Sequence, residues 1–167
     1  MARPEIGMVF SRDDVAPAIA GAPPLAAVAL DHARAPDIVY VAPCEDEADR
    51  WGLPGRGLAT GGPPAGGGMH GWLNRRELAT VLMVSAPEGA GGVENPRPCG
   101  LVDIAPTALA LLGLDGSGCD GAALPPDGEA APPVAASEIV AERPGFRQRL
   151  LRRAIDGRRY LSEGGRA

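Results

Sequence analysis

Gly66-Gly67-Gly68-Met69-His70-Gly71 carries one of the two histidines of the chain, ten residues before the apolar run Val81-Leu82-Met83-Val84. Glycine has no Cβ, so such a stretch turns sharply and lets its backbone approach a ligand closely. A neutral imidazole presented on a loop is a common metal ligand. His70 is therefore the candidate metal-binding residue, weighed against a loop histidine that binds nothing. The glycine run has neither a Lys nor a following helix, so it is a flexible lead into His70 rather than a phosphate cradle. The second histidine, His32, follows Asp31 and reads as a surface-loop residue. Cys44, Cys99 and Cys119 are odd in number and lack CxxC spacing, which excludes a disulfide framework and a zinc ribbon. Trp51 and Trp72 flank the loop in sequence; they either line a stacking pocket or, more simply, fill a sparse core.

The composition limits what can position these groups. The 167 residues suit one domain. With 24 Gly and 18 Pro, about a quarter of the chain breaks regular structure, and only 4% is aromatic. The core must then rely on Val, Leu, Ile and Ala. A net charge of −5 argues against general nucleic-acid binding. All 16 basic residues are Arg, a bias read as genomic. Seven of them fall between Arg143 and Arg159, where an exposed strand face accounts for them. No apolar run approaches the roughly 20 residues that span a bilayer, and no signal peptide is visible. A cytoplasmic protein is the expectation, unless a targeting segment has been lost with upstream sequence.

Strands are expected at Ile6–Phe10, Asp37–Ala42, Thr80–Ser85 and Val134–Val140. A helix is expected from Ser11 to about Ala20, and Leu25–Leu30 stays open between strand and helix. Asp103–Gly113 is the clearest helix, with Asp103 as N-cap, Pro106 in the first turn and Gly113 at its end. Ile104, Ala108, Leu111 and Leu112 form its apolar face. Asp156-Gly157 between Arg149–Ile155 and Arg158–Leu161 predicts a hairpin with a type I′ turn. Residues 44–68, 87–98 and 115–133 read as loops. The alternation of strands and helices predicts an α/β layered architecture.

The order of Gly-Met-His-Gly, an apolar strand, Asp103-Ile104-Ala105-Pro106-Thr107 and Leu111-Leu112-Gly113-Leu114 resembles the C-terminal part of the type I phosphodiesterase/nucleotide pyrophosphatase family. That family belongs to the alkaline phosphatase superfamily, which also holds the sulfatases. Arg34-Ala35-Pro36-Asp37-Ile38-Val39 and Gly157-Arg158-Arg159-Tyr160 fit the same picture, over about residues 6–162. The resemblance implies a partial alkaline-phosphatase-like sheet layered with helices, with residues 1–167 as one C-terminal portion of that domain. It implies a two-metal site, usually zinc, in which His70 matches the last metal-ligating histidine. The family's nucleophile, its first metal-binding aspartate, its Asp-x-x-x-His pair and its Asp-His-Gly motif have no counterpart here. No catalytic or substrate-binding residue is therefore assigned.

Two function classes are open. One is a hydrolase of phosphodiester or pyrophosphate bonds represented by its C-terminal part, acting on a small phosphate ester once completed by an N-terminal half. The other is a non-catalytic relative that survives as a binding or structural module. Neither implies a nucleic-acid or membrane partner. An unpaired sheet edge would favour self-association.

Overall fold

The computed structural model describes residues 3–15, 19–58, 64, 70–85, 92–125 and 132–167. Among them the chain is mixed α/β, with short helices and a C-terminal antiparallel sheet. In order come β1 (Met8–Ser11), a 3-10 turn (Leu25–Val28), β2 (Ile38–Val41), β3 (Cys44–Glu45) and β4 (Arg56–Gly57). Then come α1 (Arg75–Leu78), a 3-10 turn (Leu101–Asp103), α2 (Ile104–Leu111), β5 (Ala135–Arg143), β6 (Phe146–Ile155) and β7 (Arg158–Arg166). The strands form two antiparallel pairs, β1–β2 and β3–β4, and one sheet in the order β5-β6-β7. Asp156 and Gly157 have φ of 49° and 75°, the two positive values that a type I′ turn between right-twisted strands requires.

The chain divides into two compact units. The first comprises Met1–Thr80, Glu138–Arg152 and Leu161–Ala167. Its core is Met8, Phe10, Leu25, Ala27, Ala35 and Leu150, with Val39, Val41, Leu73, Ile139 and Leu161 packed against it. The strand period of two explains the selection: Val39 and Val41 turn inward while Ile38 and Tyr40 face solvent. On β6, Phe146, Gln148 and Leu150 are buried, and Arg147 between them is exposed, as expected for an arginine-bearing strand face.

Gln148 is fully buried. Its Oε1 accepts the Val9 N–H at 2.9 Å, and its Nε2 donates to the Val9 carbonyl at 3.2 Å. The same Nε2 donates to the Gly21 carbonyl. A side-chain amide offers the donor and acceptor pair of a peptide group. Gln148 thereby satisfies backbone groups of β1 that would otherwise be orphaned in the core. Further along the strand, Ser11 N–H reaches the Pro23 carbonyl at 3.1 Å.

The second unit comprises Val81–Ser137 and Arg153–Tyr160. Here the expected N-cap is corrected. The Asp103 side chain makes no cap bond to α2; it reaches back to the Gly100 N–H at 2.8 Å, beneath the 3-10 turn that runs into the helix. Its other oxygen accepts the Ala122 N–H at 2.8 Å and the Tyr160 hydroxyl at 3.1 Å. Thr107, one turn on, donates to the Asp103 carbonyl at 2.6 Å and accepts the Leu124 N–H at 3.0 Å. α2 ends in a Schellman motif: Leu114 N–H bonds the Leu109 carbonyl and Gly113 N–H bonds the Ala110 carbonyl.

Burial on α2 is the reverse of the expected pattern. Pro106 and Thr107 are buried, while Ile104, Ala108, Leu111 and Leu112 face solvent. The expected strand Thr80–Ser85 is also corrected. It pairs with no strand among the described residues, and Val81 and Met83 are 81% and 86% exposed. Of the expected Ser11–Ala20 helix, residues 13–15 form a turn and residues 16–18 lie outside the described ones. The expected loop 44–68 contains the small β3–β4 hairpin, since Glu45 and Arg56 pair both across it and through their side chains.

Two outcomes are expected. Gln148→Leu leaves the Val9 N–H, the Val9 carbonyl and the Gly21 carbonyl without partners, at roughly 1–3 kcal/mol for each unsatisfied group. Urea unfolding should register a loss of about 3 kcal/mol or more, and an unchanged midpoint would show the amide to be dispensable. The second concerns Tyr160, whose pKa is pushed up to about 12, first by burial and then by the Asp103 carboxylate. The unfolded phenol titrates near 10, so the folded state binds the extra proton between pH 10 and 12. Stability is complete below that window and declines as pH rises through it. Tyr160→Phe should flatten this alkaline decline in unfolding midpoints measured from pH 9 to 12; parallel curves for the two proteins would sink the assignment.

Candidate functional site

His70 is exposed, in irregular backbone that leads into α1. The preceding Gly66–Met69 lie outside the described residues. On the C-terminal side of the imidazole, local capping residues organise the backbone. Asn74 is the N-cap of α1, its Oδ1 accepting the Arg76 and Glu77 N–H groups at 2.9 and 3.1 Å. Glu77, three residues on, points its carboxylate back, as in a capping box, but reaches beyond the cap residue. It accepts the Gly71 N–H and, at 3.2 Å, the Trp72 N–H. The two backbone amides after His70 are therefore clasped by one carboxylate.

The clasp is tied to the β3–β4 hairpin. Asn74 Nδ2 donates to Cys44 Sγ at 3.0 Å. The Trp72 ring lies over Gly57 of β4, where a Cβ would come within 2.4 Å of ring carbon Cε2. A side chain at Gly57 would drive the indole away. The Cys44 thiol is pushed up by burial and by the Glu77 and Asp46 carboxylates, against the opposing Asn74 bond. It stays a thiol at neutral pH, whereas the thiolate is the form that binds metal or attacks an electrophile.

The other sequence candidates separate from His70. His32 is exposed and its Nδ1 accepts the Arg34 N–H at 3.2 Å, a local turn contact that fits a surface-loop role. Trp51 does not fill the core: it is 64% exposed, with the Arg50 guanidinium 3.9 Å above its ring. Trp72, half-buried against Gly57, does pack inward. All three cysteines are unpaired. Among the described residues no group of three or more His, Cys, Asp or Glu side chains is placed to hold a metal ion. A catalytic zinc needs about three protein ligands and an open position. The described residues of this chain do not fit such a centre.

Glu77 and Asn74 were not singled out by sequence, although Asn74-x-x-Glu77 ahead of an apolar run is a capping-box signal. No family model, curated protein or solved structure matches the chain.

Charge-assisted hydrogen bonds are worth roughly 1.5–3 kcal/mol. Glu77→Ala should accordingly raise amide hydrogen exchange at Gly71 and Trp72 by at least about tenfold with little change at β6. Equal exchange in both proteins would show that the carboxylate does not hold the loop.

Proposed function

We propose that this chain is the C-terminal part of a metal-dependent hydrolase of phosphodiester or pyrophosphate bonds. In this reading it resembles the type I phosphodiesterase/nucleotide pyrophosphatase family and has an alkaline-phosphatase-like sheet completed by polypeptide it does not contain. The observation that carries the reading is the ordered set His70, Val81–Val84 and Asp103–Leu114. Two features of the second unit support it: the apolar segment Val81–Val84 and the apolar face of α2 are both exposed. A completed sheet would bury both.

Zinc is the cofactor this reading implies, and His70 is the one residue it assigns to the metal. What the chain's own residues do is hold that histidine's loop, through Glu77 and the Asn74 cap. The substrate would be a small phosphate ester, met only after assembly with the missing half. No helix among the described residues is long and apolar enough to cross a membrane. The second reading, a non-catalytic binding or structural module, is favoured by the single candidate ligand.

The test has two arms. An in-frame Ser or Thr nucleophile and an Asp-His-Gly motif encoded immediately upstream would establish the hydrolase; their absence leaves the non-catalytic module. The isolated chain should show no zinc-dependent turnover of bis(p-nitrophenyl) phosphate above His70→Ala, and light scattering should show self-association through its exposed apolar segments. Robust turnover abolished by His70→Ala, or a monodisperse and cooperatively melting monomer, would overturn the incomplete-site reading.

A further inference from the structure

We propose that the first unit carries a binding cleft for a small organic anion, a site that does not rest on the hydrolase reading or on His70. The cleft has a volume of about 720 Å³ and is built from four segments: Gly7–Met8, Val41–Cys44, Leu73–Arg76 and Glu163–Arg166. That volume lies within the roughly 300–1,000 Å³ of small-molecule sites. Backbone bonds fasten its walls to one another. Gly7 N–H meets the Val41 carbonyl at 2.7 Å, and Gly164 N–H meets the Leu73 carbonyl at 2.6 Å. Asn74 Nδ2 ties the third segment to Cys44. The cleft is preformed, so a ligand would not have to order it.

Its charge is opposite to that of the whole chain. Four arginines, Arg75, Arg76, Arg149 and Arg166, are among its lining residues, against two acidic ones, Asp46 and Glu163. Glu163 pairs with Arg149 at 2.8 Å, and the exposed Asp46 lies 4.0 Å from Arg76. Arg75 and Arg166 have no carboxylate partner among the described residues. Arg166 donates one N–H to the Arg3 carbonyl at 2.6 Å, and its guanidinium carbon lies 5.2 Å from the centroid of the Phe146 ring, so its charge is held at the cleft by a carbonyl and an aromatic face rather than by a carboxylate. The lining thus carries two more arginines than acidic residues in a protein whose net charge is −5.

Guanidinium forks match phosphate and carboxylate oxygens geometrically. A concave, partly apolar wall strengthens the field those charges produce. Val41, Ala42, Pro43 and Leu73 supply that wall, which fits an apolar body attached to the anionic group. The ligand class is a small organic anion such as an aryl phosphate.

Phenyl phosphate is the probe, titrated calorimetrically into the full chain at low and high salt. The expected result is saturable binding that weakens with salt, and a loss of about tenfold or more in Arg75→Glu/Arg166→Glu. His70→Ala should bind as the parent does. Arg75→Glu alone, an exposed change checked by an unchanged melting midpoint, keeps the test valid if the double variant is unstable. The cleft is overturned by an absence of saturable binding at low salt, by undiminished binding in the arginine variants, or by equal binding of benzyl alcohol. Loss of phosphate binding in His70→Ala alone would move the anion to the histidine loop, overturning the cleft while leaving the hydrolase reading standing.

Discussion

A buried side-chain amide standing in for a neighbouring strand is the interaction on which the first unit depends. β1 lies at the centre of the apolar core, yet its partner β2 covers only one edge. Unpaired backbone groups in such a place carry a full desolvation penalty. Gln148 removes it at Val9 by bonding both the N–H and the carbonyl, and it ties in Gly21 as well. The second unit has a parallel device in Asp103, a fully buried carboxylate with three donors around it. In a chain with so few aromatic residues and so much Gly and Pro, single polar side chains tie segments together where large apolar contacts are scarce.

The same constraint governs the histidine loop. α1 has only four residues, too short to persist through helical hydrogen bonding alone. Its stability comes from the Asn74 cap and the returning Glu77 carboxylate, and those contacts also restrain Gly71 and Trp72. The helix is less a packing element than a bracket. It fixes the backbone that follows an exposed histidine, and its own sequence segment continues into a wall of the arginine-lined cleft.

Exposed apolar residues are concentrated in the second unit. Leu101 and Leu112 are 86% and 72% exposed, and Val81–Val84 is irregular and pairs with no strand among the described residues. Single exposed apolar residues are ordinary, but a whole helical stripe left in water is not. The helix obeys its polar anchors first: Asp103 and Thr107 can be buried only where their hydrogen bonds are met. Once they are, the stripe flanking them faces outward.

Local chemistry was legible in the residues. Asp156-Gly157 dictates its own turn, Gly113 terminates α2, and the β-branched run Ile38–Val41 forms β2, because each is decided by backbone sterics or bonding within a few positions. His70 was likewise visible as a loop histidine without companions. The chain alone could not say which face of α2 would be buried, whether Val81–Val84 would find a strand partner, or that Trp51 would lie in solvent. Nor could it place Gln148 against Val9 across 139 positions, or bring four arginines around one hollow. Those outcomes depend on which distant groups meet. A short segment encodes its own torsional preferences, but the satisfaction of a buried donor or the pairing of a charge is settled only when the rest of the polypeptide has packed around it.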